Sequence, residues 1–564
     1  MRNRGKRAET WNRLATENFD MLVIGGGITG AGVARDAALR GLKVALVDKG
    51  DFGSGTSSRS SRLVHGGLRY LEMYQFGLVS ESTHERARLM KLAPHLVRPL
   101  PFLMPVYEGK KPGTLLLRMG MLLYDTLASF QNYRRHRKLN AAAIKEQEPE
   151  LLSDGLRAAF RYYDCHTNDG RLTLENVVGA EEAGAVCLNH ARFEALRTEK
   201  NDERDGVVGA TVVDSLTGED VAVSAKVVVN AVGPWLRTLG EAMGADILPD
   251  LKPSKGVHVV VPHDRLPVEH AVVMTVPSDG RVVFCIPWET ATYVGTTDTD
   301  YDGDIDAAEA TREDVDYLLD TTNIYFPNVK LTAEDVIGTW TGLRPLVVAD
   351  SGETDKATYQ VSREHLLNRD PRGIVTITGG KLTTYRIMAS QAVDEAIKSL
   401  KERGLAPEKI GRCQTKKTPL PGGVGLGSED DREKTATELV ERYAKDDGLS
   451  PEAVRYAFGT YGARAESLLE LAAADVSLAK PIVNGLPYFW AEVPFAADNE
   501  FVGRLDDMLV RRTYLFYKTN DRAMNVASEV ASRLAECLGW DDARMESEME
   551  RFRELAASAM RFAD

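Results

Sequence analysis

What the sequence lacks excludes several protein classes. Its five cysteines are scattered, with no CxxC pair, which is typical of reduced thiols in a cytosolic protein and not of a disulfide framework. No stretch approaches the ~18 uncharged apolar residues of a membrane span, and the basic N-terminus is not followed by the apolar segment of a secretory signal. Basic residues are outnumbered, with a formal net charge of -13, whereas a nucleic-acid-binding protein needs a basic face. We therefore expect an acidic, cytoplasmic protein.

A nucleotide-binding motif stands near the N-terminus, where residues 23–35 read VIGGGITGAGVAR. Strand, glycine turn, helix, strand and acid follow one another in the order of the dinucleotide-binding βαβ unit. Gly25, Gly27 and Gly30 occupy the GxGxxG positions. They permit the tight turn, the approach of the pyrophosphate to the helix N-terminus and the packing of the helix on the strand. Asp48 ends the second strand and is placed to accept hydrogen bonds from the adenosine ribose.

The segments that follow favour FAD over NAD. A nicotinamide domain would continue through further α/β repeats, but residues 50–70 form a Gly/Ser-rich run with no strand pattern. Two later stretches, 225–235 (AKVVVNAVGPW) and 373–397 (GIVTITGGKLTTYRIMASQAVDEAI), have the pattern of strands that return to the same site. The second continues into a long helix whose N-terminus would suit the electron-poor edge of a flavin. Three separated pieces around one nucleotide indicate FAD.

Seven motifs together resemble a known family. GGGITGAG, TSSRSSRLVHGGLRYLE, NAVGPW, KGVHVVVP, GTTDTDY, TGLRPL and TGGKLTTYR are similar to those of the FAD-dependent glycerol-3-phosphate dehydrogenases, within the D-amino-acid-oxidase-like flavoprotein group. The similarity covers residues 19–386 and resumes in the C-terminal helices; HGGLRYLE with GGKLTTYR is its most specific part. The resemblance implies oxidation of sn-glycerol 3-phosphate to dihydroxyacetone phosphate, with electrons passed to membrane quinone.

The resemblance also implies which residues hold the cofactor, an FAD bound non-covalently. Besides the glycine turn and Asp48, these residues are Thr56, Ser57, Ser58, His65, Gly66, Gly233, Gly379, Gly380, Lys381, Leu382 and Thr383. His65 is the one nearby residue that could carry a covalent flavin link, but the family binds FAD without one.

Oxidation of this substrate requires a phosphate clamp, a base for the C2 hydroxyl proton and a flavin placed to accept the C2 hydride. Arginine forks bind phosphate oxygens bidentately. The resemblance assigns substrate binding to Arg69, Tyr70, Arg344, Arg363 and Lys381, with Arg363 in the loosest match (YQVSREH). Each arginine taken alone is equally well explained as a solvated salt-bridge partner. Three arginines and a lysine together favour phosphate.

The identity of the base stays open at this stage. His258 in KGVHVVVP has the near-neutral pKa that suits a base, although a histidine in such a β-branched run is more often a core residue. Lys381 and Arg344 are the other catalytic candidates, because a positive cluster would also acidify the C2 hydroxyl.

One motif indicates a different chemistry. Residues 298–309 (DTDYDGDIDAAE) match the calcium loop of an EF-hand. That interpretation needs a helix on each side. The flank 309–319 is compatible with a helix, but ATYVGTT on the other side has the pattern of a strand. Because the resembling family has a similar turn without a metal, we predict no metal site.

The expected fold class is α/β: a Rossmann-like FAD-binding domain of the glutathione-reductase or D-amino-acid-oxidase type, an α+β substrate domain and a C-terminal helical domain. With 564 residues, of which 43% are hydrophobic, the chain is long enough for two or three domains. The predicted ranges are 15–72, 153–246 and 351–410 for the cofactor domain, 73–152 and 247–350 for the substrate domain, and 418–564 for the helical domain after the Pro/Gly linker TPLPGG.

An apolar segment predicts contact with a membrane surface. Residues 114–130 (TLLLRMGMLLYDTLASF) form an apolar helix pattern, followed by the basic run YRRHRK at 133–138. This suits a patch that lies on anionic headgroups, and a core helix with a solvated charged end is an equal alternative. With the family's quinone acceptor, the first interpretation predicts a peripheral protein on the cytoplasmic face of the plasma membrane. Separately, we expect a homodimer.

Three rival functions share these motifs. A glycerophosphate oxidase has the same site but uses oxygen and produces peroxide. An amine or amino-acid oxidase of the same fold would use an arginine for its substrate carboxylate. An FAD-binding module without enzymatic activity is the third, and bleaching of the flavin by a substrate would exclude it.

Overall fold

The computed structural model describes residues 6–109, 113–129, 131–201, 204–243, 250–348 and 364–563. The strands are β1 (Asn18–Ile24), β2 (Val44–Val47), β3 (Leu63–Val64), β4 (Arg98–Tyr107), β5 (Arg137–Asn140), β6 (Leu156–His166), β7 (Val186–Leu188), β8 (Ala191–Asn201), β9 (Arg204–Asp214), β10 (Asp220–Asn230), β11 (Asp250–Pro262), β12 (Ala271–Thr275), β13 (Val282–Trp288), β14 (Ala291–Gly295), β15 (Thr299–Asp300), β16 (Gly338–Val348), β17 (His365–Arg369) and β18 (Ile374–Gly379). The helices are α1 (Lys6–Thr16), α2 (Ile28–Leu39), α3 (Phe76–Leu92), α4 (Thr114–Leu127), α5 (Ala141–Gln147), α6 (Asp169–Glu182), α7 (Leu236–Ala242), α8 (Arg312–Tyr325), α9 (Tyr385–Glu402), α10 (Glu429–Tyr443), α11 (Pro451–Tyr461), α12 (Ala465–Ala474), α13 (Val476–Ala479), α14 (Glu492–Asn499), α15 (Leu515–Lys518), α16 (Met524–Leu538) and α17 (Asp542–Ser558).

The first sheet has the order β17-β18-β10-β1-β2-β7, with β9 beside β10 and β8 beside β9. β1 pairs in parallel with both β2 and β10, and β10 pairs in parallel with β18. β1 is buried at every residue except Asn18, which is why it reads as an almost continuous apolar run. Helices α2 and α9 pack on this sheet in one apolar cluster. The predicted α/β fold is confirmed, and its three chain pieces meet here.

The second sheet is mainly antiparallel and has the order β15-β11-β14-β13-β12-β4-β6-β3. β16 pairs with β11 along its whole length, and β5 pairs with β6. β6 therefore lies in this sheet, although its residues fall in the range 153–246 that we assigned to the cofactor domain. The reason is its long antiparallel pairing with β4, which sequence periodicity does not reveal.

The C-terminal part is helical from α10 onward, as predicted. One apolar cluster joins it to the second sheet and includes Phe102 and Trp340 of the sheet together with Phe516 and Leu534 of the C-terminal helices. A π-helical turn at Asp507–Arg512 interrupts the helices and faces the first sheet through its arginines. The C-terminal part therefore contacts both sheets.

Candidate active site

One large cavity, of about 2150 Å³, is lined by residues of both sheets and of the C-terminal helices. Most of the site residues inferred from the sequence line it: Gly25, Gly27, Asp48, Thr56, Ser57, Ser58, His65, Arg69, Tyr70, Gly233, His258, Arg344, Gly379, Gly380, Lys381, Leu382 and Thr383. Gly30 and Gly66 lie outside this lining. Arg363 lies outside the described residues, so its assignment stays a prediction.

The glycine turn between β1 and α2 leaves no room for side chains. Gly25 has φ +100°, and a Cβ there would lie 2.7 Å from the carbonyl oxygen of Ala231. A Cβ on Gly30 would lie 1.8 Å from the carbonyl oxygen of Gly25. The first turn of α2 therefore packs directly on the glycine turn, and the backbone of the glycine turn remains exposed to the cavity. A dinucleotide pyrophosphate needs such a cradle.

Asp48 and Ser57 complete this end of the cavity. The Asp48 carboxylate accepts hydrogen bonds from the backbone N–H of Gly26 at 2.6 Å and of Gly50 at 2.8 Å. Burial raises the pKa of Asp48 to about 6, and these two bonds oppose the rise. Ser57 Oγ accepts the N–H of Ile28 at the first turn of α2. Because a ribose hydroxyl is a hydrogen-bond donor, these groups fit the adenosine end of FAD.

At the other end, glycines make space for Arg344 and His258. β11 and β16 are antiparallel neighbours, with Ser254 opposite Arg344 and His258 opposite Trp340. A Cβ on Gly256 would lie 2.3 Å from the Arg344 guanidinium. A Cβ on Gly295 would lie 2.1 Å from the His258 ring. The glycines in KGVH and VGTT therefore leave the space that the side chains of Arg344 and His258 occupy.

Arg344 is held by a polar frame. Its guanidinium donates to Ser254 Oγ at 3.2 Å, to Thr296 Oγ1 at 2.9 Å and to the Thr297 carbonyl at 3.1 Å. The Asp298 carboxylate lies 3.5 Å away. The guanidinium is thus fixed in one orientation at the cavity wall, where its charge is only partly offset by the Asp298 carboxylate.

His258 is buried and neutral. Its Nε2 lies 2.9 Å from Ser61 Oγ, and its ring stacks on Trp340 with ring centroids 4.7 Å apart. Burial lowers the pKa of His258 well below its usual value, and the charges of Arg344 and Arg62 lower it further. The pKa is therefore lower than the near-neutral value expected from the sequence, so the ring is unprotonated near pH 7 but takes up a proton less readily than a free histidine.

Sequence reasoning missed two groups next to His258. Ser61 lies in the TSSRSSRLVHGG run but carried no signal of its own. Arg62 is buried with its guanidinium carbon 3.8 Å from the Trp288 ring centroid and 4.1 Å from that of Tyr514. Such a caged cation has no sequence pattern, because its rings come from β13 and from the C-terminal helices.

Lys381 links the third chain piece to the HGGLRY segment. Its Nζ lies 3.5 Å from the Tyr70 ring centroid. Nearby, Thr383 Oγ1 accepts the His65 N–H at 3.1 Å and donates to the His65 carbonyl at 3.2 Å. Two motifs far apart in the chain therefore meet at one wall of the cavity, beside Arg69.

The EF-hand-like loop has a different organisation from a calcium site. Its carboxylates pair with cations of separate elements: Asp300 with Lys252 at 2.9 Å, Asp306 with Lys49, and Glu309 with Arg561. Asp298 belongs to the frame of Arg344. The preceding segment is a strand, β14, and α8 begins only at Arg312, so the flanking helices of an EF-hand are not present on both sides among the described residues.

Comparison with known proteins first gives the class. The chain matches the family model described as FAD dependent oxidoreductase over residues 20–386. It matches a second model, the C-terminal domain of alpha-glycerophosphate oxidase, over 413–545. Glycine oxidase from Geobacillus kaustophilus shares the fold, with a TM-score of 0.51 and 19% identity over 73% of this chain and 100% of that chain. The class is that of the FAD-dependent oxidoreductases.

Closer relatives define the family within this class. Aerobic glycerol-3-phosphate dehydrogenase from Staphylococcus saprophyticus is 38% identical over 96% of this chain and 95% of its own length. Glycerol-3-phosphate dehydrogenase 2 from Mycobacterium tuberculosis is 39% identical over 97% and 89%. The FAD complex of glycerol-3-phosphate dehydrogenase from Bacillus halodurans superposes with a TM-score of 0.81 and 32% identity over 99% of both chains. The chain belongs to the FAD-dependent glycerol-3-phosphate dehydrogenase family.

Proposed function

We propose that this protein oxidises sn-glycerol 3-phosphate to dihydroxyacetone phosphate, with membrane quinone as the final electron acceptor. The observation that carries the proposal is the joint position of Arg69, Arg344, Lys381 and a neutral His258 in one cavity with a dinucleotide cradle. A cationic wall suits a phosphate dianion, and a neutral imidazole suits the hydroxyl proton.

In this proposal FAD, when bound, supplies the acceptor for the C2 hydride, and the chain supplies binding and proton transfer. The glycine turn, Ser57 and Asp48 hold the adenosine half. Arg344 supplies a fixed positive charge for the substrate phosphate, and Arg69 and Lys381, which line the same cavity, add charge. These fixed cations orient the substrate before the reaction, which lowers the entropic part of the barrier.

We assign the base to His258 before Lys381 and Arg344. An arginine keeps its proton at all working pH values, and Lys381 lies over an aromatic ring as a cation would. His258 is neutral, and Ser61 Oγ bonds its Nε2 at 2.9 Å. The Ser61 hydroxyl can pass a proton from the substrate to this nitrogen. Lys381 then remains an electrostatic helper.

The acceptor side of the proposal rests on α4. Leu115, Leu116, Met119 and Leu122 of this helix are 58% to 73% exposed, and Tyr74, which lines the large cavity, is 79% exposed. Leu116 and Met119 also line the large cavity. An exposed apolar patch that continues into the cofactor cavity suits a lipid surface and an apolar acceptor. Within the described residues, no helix has the length and apolar character needed to cross a bilayer.

The basic run lies against the end of α4. Asp125 is buried and accepts hydrogen bonds from Asn132 Nδ2 at 2.6 Å and His136 Nδ1 at 2.8 Å, which folds the following segment back onto the helix. Arg137 and Lys138 are exposed there. Cations at the rim of an apolar patch favour anionic headgroups. This supports a peripheral location on the cytoplasmic face of the plasma membrane.

Anaerobic mixing of the yellow protein with a panel of substrates tests the proposal. We expect sn-glycerol 3-phosphate to bleach the flavin rapidly, glycerol to bleach it only slowly, and amines and amino acids to leave it oxidised. Reoxidation then separates the acceptors: rapid reoxidation by a quinone analogue and slow reoxidation by oxygen support the dehydrogenase. Rapid peroxide formation would support a glycerophosphate oxidase instead. A homodimer is proposed on the family resemblance alone, and light scattering of the purified protein tests it.

A further inference from the structure

The loop that follows β2 connects the nucleotide end of the cavity to the C-terminal helices. This loop, residues 48–54, begins with Asp48 and lies along the glycine turn. The Gly53 N–H donates to the Gly26 carbonyl at 3.0 Å, and the Gly26 N–H donates to Asp48 at 2.6 Å. The position of the loop therefore determines where Asp48 and the turn stand relative to each other.

Two arginines of the C-terminal π-helical turn hold this loop. Asp51, which is 1% exposed, accepts two bonds from Arg512, at 2.6 and 2.9 Å, and one from Arg511 Nε at 2.5 Å. Asn189 Nδ2 adds a fourth bond at 3.0 Å. The arginine charges lower the pKa of Asp51 far below its usual range, although burial alone would raise it. The bidentate fork fixes both the distance and the angle of the loop.

An aromatic contact reinforces this attachment. Phe52 is buried against the glycine turn, where a Cβ on Gly26 would lie 2.3 Å from its ring. On its other side Phe501 packs edge to face, with ring centroids 5.2 Å apart. The Phe501 carbonyl also accepts a hydrogen bond from Asn189 Nδ2 at 2.7 Å. Phe501 thus presses Phe52 onto the turn that forms the phosphate cradle.

The buried carboxylates of this region already accept hydrogen bonds from protein groups. Asp51, His190 and Asp507 bring ligand-type atoms close together, as a metal site would. However, Asp507 accepts bonds from His190 Nε2 at 2.9 Å and from Arg511 at 2.7 Å, and Asp51 is saturated by arginines. The cluster therefore is an ion-pair network in which cations neutralise the acids, and its charges serve to hold the loop.

We propose that the C-terminal helical part acts as a clamp on the cofactor: Arg511, Arg512 and Phe501 are positioning residues that hold loop 48–54 and so set the affinity and residence time of FAD. This gives the C-terminal part a role in cofactor binding. The inference rests on the proposed FAD site, but not on the identity of the substrate.

The test measures FAD release from the holoprotein, without any substrate. Asp51→Asn keeps the size of the side chain and removes the charge that the two arginines bind. Phe501→Leu loosens the aromatic contact and leaves the ion network intact. We expect each to raise the FAD dissociation constant and the release rate about two- to thirtyfold, the range typical of coupling between packed sites. Flavin release on dilution, followed by ultrafiltration and absorbance, gives both values.

Arg464→Gln is the matched control. Arg464 also joins the C-terminal helices to the cofactor domain, through Glu175 of α6 at 3.3 Å, and its ion-pair partners Glu175 and Glu500 lie outside loop 48–54. We expect it to lower the melting temperature and leave FAD release unchanged. Two outcomes would contradict the proposed clamp. In the first, all three variants lose stability and FAD to the same degree. In the second, folded Asp51→Asn and Phe501→Leu release FAD at the rate of the parent protein. Should Asp51→Asn fail to fold, Phe501→Leu decides. A protein that retains FAD but does not oxidise sn-glycerol 3-phosphate would contradict only the proposed function.

Discussion

The glycine turn and Asp48, at the nucleotide end of the cavity, come from one continuous stretch of chain, whereas the substrate end is assembled from distant strands. Gly25, Gly30 and Asp48 follow each other along β1, α2 and β2. His258 and Arg344 stand on β11 and β16, and their neighbours come from other segments. The glycine turn has no room for an added side-chain atom. The substrate end depends instead on the register between β11 and β16 and on the space that neighbouring glycines leave for His258 and Arg344. The two ends should therefore respond differently to substitution.

The largest effect is expected at the glycine turn. Gly30→Ala places a Cβ 1.8 Å from the Gly25 carbonyl oxygen, so the turn must open and the cradle is lost. We expect the purified variant to be colourless, with no measurable activity. Flavin absorbance per chain is the measurement. Gly77→Ala is the control, because a Cβ there meets nothing within 4 Å. Equal flavin content in the two variants would contradict the assignment of the glycine turn as the pyrophosphate cradle.

At the substrate end, His258→Gln should bind FAD normally and lose turnover. Removal of a general base costs about 10²–10⁴ in rate. Because the pKa of His258 is well below its usual value, the parent's kcat/KM should not fall between pH 8 and pH 6 through protonation of this residue. Steady-state rates over this pH range, with flavin content as a control, test both statements. If His258→Gln turns over substrate at the rate of the parent protein, His258 is not the base, and Lys381 becomes the candidate.

Arg344→Ala separates phosphate binding from the rest of the reaction. The loss of a charge-assisted phosphate contact should cost about 2–4 kcal/mol in kcat/KM for sn-glycerol 3-phosphate. Unphosphorylated glycerol, already a poor substrate, should change little, and Arg69→Ala should behave in the same way. Initial rates with the two substrates give the comparison. Equal losses for both would mean that these arginines do not bind the phosphate.

The membrane patch should change the acceptor step and leave the flavin site intact. Arg137→Gln with Lys138→Gln removes two exposed cations, each worth about 1 kcal/mol near an anionic surface. We therefore expect vesicle binding to weaken about thirtyfold, with high salt mimicking the change. Turnover with a soluble dye should be unchanged.

Lys416→Gln with Lys417→Gln removes a second exposed basic pair and serves as the control for this experiment. Vesicle flotation of the three proteins distinguishes the outcomes. If the variant with Arg137→Gln and Lys138→Gln binds vesicles as strongly as the parent protein, the membrane contact lies elsewhere.

The smallest effect concerns pH at the nucleotide end. The ionised carboxylate of Asp48 accepts a ribose hydroxyl more strongly than the neutral acid does, and burial raises the pKa of Asp48 to about 6. FAD affinity should therefore be nearly full above about pH 7 and fall by at most about tenfold per unit below about pH 6. Asp48→Asn should bind FAD weakly at every pH, without this dependence. Equilibrium dialysis at pH 5 to 8 is the measurement.

The same contrast explains what the sequence could predict. The glycine turn, Asp48 and the α/β class follow from local spacing, because each element contacts its chain neighbour. Arg344 and His258 were accessible only through the family resemblance, since periodicity does not reveal that β11 and β16 pair. Ser61, Arg62 and Asp51 gave no signal, because their partners belong to other strands or to the C-terminal helices. The low pKa of His258 arises from burial and two distant arginines, which no single segment encodes.

The most direct test of the central claim is a single turnover of the bound flavin without oxygen. The yellow protein is mixed with sn-glycerol 3-phosphate, unlabelled or deuterated at C2, and absorbance is followed while product is quantified. We expect bleaching that forms one dihydroxyacetone phosphate per flavin and that slows with deuterium at C2. A flavin that stays oxidised with this substrate but is bleached by an amine or amino acid would contradict the proposal.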